Sequence, residues 1–260
     1  MRNWASCARV GLAYAAGQKV RTGLLLASLT VIYSLLMVLD GVVAVMSSDG
    51  PGDGRLMVRA KYPMYALPYG IVGQIQALES VRAITPSGSI GAYYGDAGNA
   101  FMDLAVEPAV YSTIFDLGLS DTALRCLAEH RTGAVAATDL SAKYGWTVGD
   151  SLPLMSAYVP TKAGGSAWEF WLCGTIDDES RRSTLLFNFD YLEEFRAHGA
   201  GTIDSAYVLA ADPSGSVAVA KAIDGLFTNS SHPTASVTMD ALKRTAARRM
   251  GDVVGMSAII

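Results

Sequence analysis

The chain reads as an α+β protein: one N-terminal membrane-spanning helix, then an extracytoplasmic domain built from two strand–helix–strand units with a β-rich insert, ending in a long helix. Three observations predict this. Residues Thr22 to Met46 form an apolar run with a single charge, at Asp40. A strand–helix–strand pattern stands near each end of the region C-terminal to that run. Only 17% of the residues are charged while 51% are apolar, against roughly 25% charged in an ordinary soluble domain.

The apolar run, TGLLLASLTVIYSLLMVLDGVVAVM, exceeds the ~20 residues that cross a ~30 Å hydrocarbon core. A soluble helix of that length would show a polar stripe, and the apolar core of a signal peptide is about 7 to 15 residues long. Arg2, Arg9, Lys19 and Arg21 precede the run, which by the positive-inside rule places residues 1–21 in the cytoplasm, 22–46 in the membrane and the bulk of the chain outside. Within residues 1–21, Trp4, Ala8, Leu12 and Ala15 recur at helical spacing, as in an interfacial amphipathic helix or a frayed basic tail. Thr22 to Leu39 already cover about 27 Å at 1.5 Å per residue, so Asp40 is expected at the outer headgroups.

Ser47 to Gly54, SSDGPGDG, breaks the helix and opens a domain over residues 47–237. Leu56 to Ala60 reads as a strand, Ile71, Ile75 and Leu78 as a helix face, and Val81 to Thr85 as a second strand, which Ser89 to Tyr94 continues or pairs with. Near the other end Ile203 to Ala210 reads as a strand, and Asp212-Pro213 as a cap and first-turn proline. The next helix is expected to bury Val219, Ile223, Leu226 and Phe227, with Thr234 to Val237 as the closing strand. Two such units imply a split α/β sandwich with both helices on one face of the sheet.

Between them, at about residues 100–190, lies a strand-rich insert read as a second subdomain. Met102, Leu104 and Val106 alternate there, as do Trp168, Phe170, Leu172 and Ile176. In KYGWTVGDSLPL, Lys143 to Leu154, a short helix stops at Gly145 and Gly149-Asp150 turns into a strand, and Tyr158 to Ser166 reads as a loop. Residues 238–260 read as one helix carrying Arg244, Arg248 and Arg249 before the apolar MGDVVGMSAII, the start of a second span cut short.

Composition and motifs exclude several functions. A net charge of −4 without a basic run lacks the footprint of a nucleic-acid binder. No GxxxxGK[ST] loop is present, so ATP and Mg²⁺ belong to a partner and not to this chain. His130, His198 and His232 are far apart, with no HExxH and no GxSxG, and are read as surface histidines. Cys7, Cys126 and Cys173 form no CxxC pair. Cys126 and Cys173 both fall on the oxidising side and are read as two buried free thiols in preference to a disulfide. Asp177, Asp178 and Glu179 read as a solvated hairpin loop, since consecutive side chains diverge. Trp146, Trp168 and Trp171 read as packing residues, or as an aromatic patch for an apolar substrate. No catalytic, cofactor-binding or metal-binding residue is assigned, and the chain is read as a non-enzyme.

The order of these features resembles that of the MacB/FtsX-like permease family of ABC transporters across nearly the whole chain. The landmarks are Arg21-Thr22 entering the span, Gly149-Asp150 in the turn, and Asn229, Ser230, Pro233 and Thr234 in FTNSSHPT before the last helix. The resemblance implies a periplasmic domain with a porter-like α/β part and an inserted β-rich part, carried by an inner-membrane permease subunit. It further implies contact with membrane lipid, a second permease subunit and a cytoplasmic ATPase whose hydrolysis drives periplasmic movement for export or lipoprotein and envelope handling. Against that pattern the chain stops as the second span begins, which reads as a fragment or truncated frame. The alternative is a membrane-anchored extracytoplasmic sensor, which would continue after Ile260 into a signalling domain instead of further apolar helices.

Overall fold

The computed structural model describes residues 19–46, 52–62 and 65–245. It divides into two units, one of residues 1–50 with 243–260 and one of Pro51–Leu242. The proposed cytoplasmic segment with Trp4 and Cys7, most of the SSDGPGDG stretch, the Asp40 side chain and residues 246–260 lie outside the described parts.

In the first unit α1, Lys19–Met46, is one continuous helix of 28 residues, about 42 Å long. Its described side chains carry no polar stripe, and Leu24, Val31, Leu35 and Val38 are all exposed. Thr30 does not interrupt it, because its hydroxyl donates to the Leu26 carbonyl at 2.8 Å. Among the described side chains alone, no helix is long and apolar enough to cross a membrane; the 28-residue backbone element includes further leucine and valine positions beyond those.

The second unit runs in order through β1 (Arg55–Ala60), β2 (Leu67–Pro68), α2 (Ile71–Gln76), β3 (Val81–Gly88), β4 (Ala92–Tyr93) and β5 (Met102–Val106). It continues through α3 (Pro108–Ile114), α4 (Asp121–Glu129), β6 (Gly133–Ala137), α5 (Thr138–Tyr144), β7 (Ser151–Ser156), β8 (Ala167–Ile176) and β9 (Thr184–Asn188). The last elements are α6 (Phe189–Phe195), β10 (Thr202–Ile203), β11 (Ser205–Ala210), α7 (Ser216–Phe227) and β12 (Thr234–Thr238). Ten strands form one sheet in the order β12-β1-β11-β3-β5-β9-β6-β8-β7-β4, and β2 pairs with β10 apart from it.

The two expected strand–helix–strand units are present, and they interleave. β11 is antiparallel to both β1 and β3, and β12 is antiparallel to β1. Each crossover therefore skips one place that the other unit fills, which is the split arrangement expected. Ile71 and Ile75 of α2 and Val219, Ile223 and Phe227 of α7 join Leu56, Val58, Ile84 and Val208 in one apolar cluster. Each such fully buried side chain contributes about 1.5–3 kcal/mol of transfer free energy.

Several expectations are corrected. The inserted strands do not form a sheet of their own, because β5 through β9 continue the same sheet through two residue pairs, Ser87 with Val106 and Gly88 with Ala105. The sheet is not covered on one face only, since Tyr111 and Phe115 by α3 and Leu127 of α4 pack with Tyr207 and Leu209 on the face opposite α2 and α7. Residues 92–93 pair with β7, not β3. β5 is covered on both faces: Leu104 and Val106 pack in the cluster of Tyr111 and Phe115 as their alternation predicts, Asp103 and Ala105 are buried on the other face, and Met102 alone is exposed. Leu226 is exposed, because at about 100° per residue the buried arc of α7 centres between Val219 and Ala220 and Leu226 falls roughly 70° off it. Residues Asp177 to Glu179 do not form a hairpin, since β8 and β9 lie on opposite sides of β6.

Other details agree with the sequence directly. Trp168, Phe170, Leu172 and Ile176 of β8 are buried. Gly145 ends α5 in the left-handed conformation at φ 70°, where a side chain would be strained. Asp150 closes the next turn by accepting from the Thr147 amide and hydroxyl, each at 2.8 Å. Asp212 caps the Pro213–Gly215 turn through the Ser214 amide before α7 begins.

Candidate functional site

Several polar groups, with Ser87 and Asp103 among the buried ones and Asp204 exposed, meet at the seam where the four outer strands join the inserted ones. Asp103 on β5 accepts from the Ile90 amide at 2.7 Å, the Ala92 amide at 2.8 Å and the Ser89 hydroxyl at 3.1 Å. Burial pushes its carboxyl up, against the pull of those three donors. Asp204 accepts from the Ser89 amide at 2.9 Å and is likewise raised by burial, with Arg196 opposing. Ser87 and Ser205 share a 2.7 Å hydroxyl contact across β3 and β11. Arg196 pairs with Glu193 and donates to the Thr202 carbonyl at 2.7 Å. The junction joins two parts of one sheet through only two residue pairs, and Phe189 and Leu192 of α6 pack over it at Gly88.

Beside the seam a cleft of about 600 Å³ opens between α2 and α3, over Arg82 to Ile84 of β3. At one end the Tyr69 hydroxyl donates to Glu107 at 3.0 Å. Burial and the Glu107 carboxylate push the Tyr69 phenol up to about 12. Burial raises Glu107 as well; the Tyr69 bond lowers it and nearby Asp190 raises it further.

The outer edge of the domain is fastened differently. Asp224 on α7 accepts from the Thr234 hydroxyl at 2.9 Å, the Ser236 hydroxyl at 2.7 Å and the Ser236 amide at 3.1 Å. It ties α7 to β12, from which the chain passes directly into helical residues 239–245. The landmark stretch supports that tie: the Ser230 hydroxyl donates to the Phe227 carbonyl at 2.9 Å and the Pro233 carbonyl accepts from the Lys61 amide at 2.8 Å.

Cys126 and Cys173 form a disulfide between α4 and β8, their Cα atoms 5.6 Å apart. This overturns the free-thiol reading. Gly174 explains the approach: a Cβ there would lie 2.8 Å from the Ala123 Cβ, so α4 and β8 meet more closely than side chains at that position allow.

No chemical centre accompanies these features. Among the described residues no group of three His, Cys, Asp or Glu side chains is arranged to hold a metal ion. His130 and His198 are exposed and His232 is half-buried, in separate parts of the domain. Trp146 and Trp168 pack in the core, whereas Trp171 is partly exposed and stacks on His130 with centroids 5.8 Å apart. Asp178 pairs with Arg181 and caps the Ser180 amide. The seam residues escaped the sequence reading, although an aspartate inside the apolar strand MDLAV was a usable signal for Asp103.

The domain has the fold of ABC-transporter extracytoplasmic domains. The periplasmic region of MacB from Actinobacillus actinomycetemcomitans aligns at a TM-score of 0.51 and 13% identity, covering 75% of this chain and 93% of that one. The extracellular domain of the noncanonic ABC-type transporter YknZ from Gram-positive bacteria aligns at 0.50 and 12% identity, covering 71% and 99%. No protein-family model and no curated protein sequence matches the chain.

Proposed function

We propose that the chain is the anchored extracytoplasmic part of a permease subunit of MacB/FtsX type, and not itself an enzyme. The observation that carries this reading is the near end-to-end coverage of two transporter extracytoplasmic domains by the interleaved sheet and its insert. In this reading residues 1–21 are cytoplasmic, 22–46 span the inner membrane, 47–237 form the periplasmic domain with an insert at about 100–190, and 238–260 return to the membrane. The apolar, stripe-free surface of the described part of α1 and the basic residues before it support that topology. A disulfide between Cys126 and Cys173 suits an oxidising compartment. ATP and Mg²⁺ bind a cytoplasmic partner ATPase, and a second permease subunit completes the membrane part.

The mechanical role follows from where the fastenings lie. Motion delivered through α1 and the helix after β12 reaches the outer four strands first. The β3–β5 seam, hydrogen-bonded through only two residue pairs, is where those strands and the insert can shift. Labelling with a membrane-impermeant maleimide tests the topology: Cys7 should react only after permeabilisation, and a cysteine placed by Ser80→Cys should react in intact cells. Reaction of Cys7 in intact cells sinks the orientation. A flexible glycine linker inserted at Met46 should leave ATP hydrolysis by the partner running while abolishing function, and unchanged function would reject the coupling role.

A further inference from the structure

β3 lies inside a ten-stranded sheet, yet most of one of its edges has no strand paired to it. β11 pairs along it from Val81 to Ser87, whereas on the other side β5 pairs only with Ser87 and Gly88 and then turns away at Glu107 into α3. Among the described residues no strand pairs with Val81–Pro86 on that side. Pro86 fits such an edge, because proline lacks the donor that a continuing neighbour strand would need. Edge strands are ordinarily shortened, bulged away or covered. Here Arg82, Ala83 and Ile84 of the open segment form the floor of the cleft of about 600 Å³.

The cleft walls are shaped for an extended chain. Val72 and Gly73 of α2 stand on one side and Val110 of α3 on the other. A Cβ at Gly73 would meet nothing within 4 Å, so that wall is recessed. The ends differ in charge. Glu107 sits at the Thr85 end, its amide donating to the Thr85 hydroxyl at 3.1 Å, with Asp190 nearby. Arg82 lies at the other end, exposed and without an ion-pair partner among the described residues.

We propose that this cleft binds an extended peptide segment that adds to β3 as an antiparallel strand, continuing the line that β5 abandons at Glu107. Backbone hydrogen bonds to the outward-facing groups of Arg82 and Ile84, which alternate with those that face β11, supply the affinity, and alternate side chains enter the walls formed by α2 and α3. The antiparallel direction sets the charges: the N-terminal end of the segment lies beside Glu107 and carries a basic residue, and its C-terminal end lies beside Arg82 and carries an acidic one. Small or β-branched residues fill the positions between. The inference does not rest on the membrane reading, since it concerns only the Pro51–Leu242 unit.

The experiment uses the full chain in detergent and two readouts. Amide hydrogen exchange of the free protein should show alternating fast and slow exchange along Arg82–Thr85; uniform protection means that the edge is already covered and overturns the proposal. Fluorescence anisotropy then monitors a pooled library of labelled hexapeptides, Lys first, Asp last and Val, Thr, Ser or Ala between, with a second pool reversed in charge. The first pool should bind saturably and slow exchange at β3. Backbone N-methylation at alternate positions, or Gly73→Leu, which fills the cleft, should each weaken binding at least tenfold. Arg82→Glu should shift preference toward peptides ending in Lys. No saturable binding from either pool, or binding indifferent to N-methylation and to Gly73→Leu, refutes strand addition here.

Discussion

Replacing both Cys126 and Cys173 with alanine should be among the most destabilising conservative changes available to this domain. The bridge closes a loop with a sequence separation of 47 residues, and the chain-entropy model assigns such a loop about 4 kcal/mol of unfolded-state constraint. Cys173 is buried at 6% exposure, so loss of its sulfur adds roughly 1 kcal/mol, the scale of one buried methylene. With an m-value of about 3 kcal/mol/M, a combined loss of roughly 4–5 kcal/mol lowers the urea midpoint by about 1.5 M. Trp146 and Trp168, both buried, report unfolding by fluorescence in the full chain, and reduced wild type should behave like the variant. A midpoint change below about 0.3 M refutes the reasoning. So does full alkylation of both cysteines in denatured, unreduced protein, which would restore the free-thiol reading.

Four further outcomes are expected. Asp224→Ala strands the Thr234 and Ser236 donors and should cost about 1–3 kcal/mol, with faster hydrogen exchange in β12 than elsewhere. Gly133→Ala places a Cβ 2.8 Å from the His130 carbonyl and 3.0 Å from that of Cys126, and should cost about 1–3 kcal/mol by thermal unfolding. On α7, Ile223→Ala should cost about 2–5 kcal/mol while exposed Leu226→Ser stays within about 0.5 kcal/mol; equal costs would mean the buried arc is wrongly placed. Burial pushes the Tyr207 phenol up to about 12, so its contribution is fully present below the unfolded value near 10 and is lost as pH rises through 12. Stability measured from pH 9 to 12 should therefore fall by about 2 kcal/mol more in wild type than in Tyr207→Phe.

Elements whose causes are local were legible in the sequence alone. The long apolar run of α1 needs only its own composition to be read. The helical spacing of Ile71 and Ile75, the alternation through Trp168, Phe170 and Leu172, and the left-handed stop at Gly145 arise from residues within one or two turns of each other. The two strand–helix–strand units were read for the same reason, and their interleaving is a known way of packing such units. Other features depend on residues far apart in the chain, and tertiary contacts alone set them. β5 joins the outer sheet through Ser87 and Gly88, so the inserted strands are part of one sheet. α3 and α4 cover the face that the strand patterns leave looking free. Cys126 and Cys173 lie 47 residues apart and meet because Gly174 lets α4 approach β8. Asp103 is buried among donors from Ser89, Ile90 and Ala92, on another segment. Periodicity records which face of an element is apolar, but the neighbour that covers the face, the edge left open and the donor that must be satisfied are set by contacts that no local window of sequence contains.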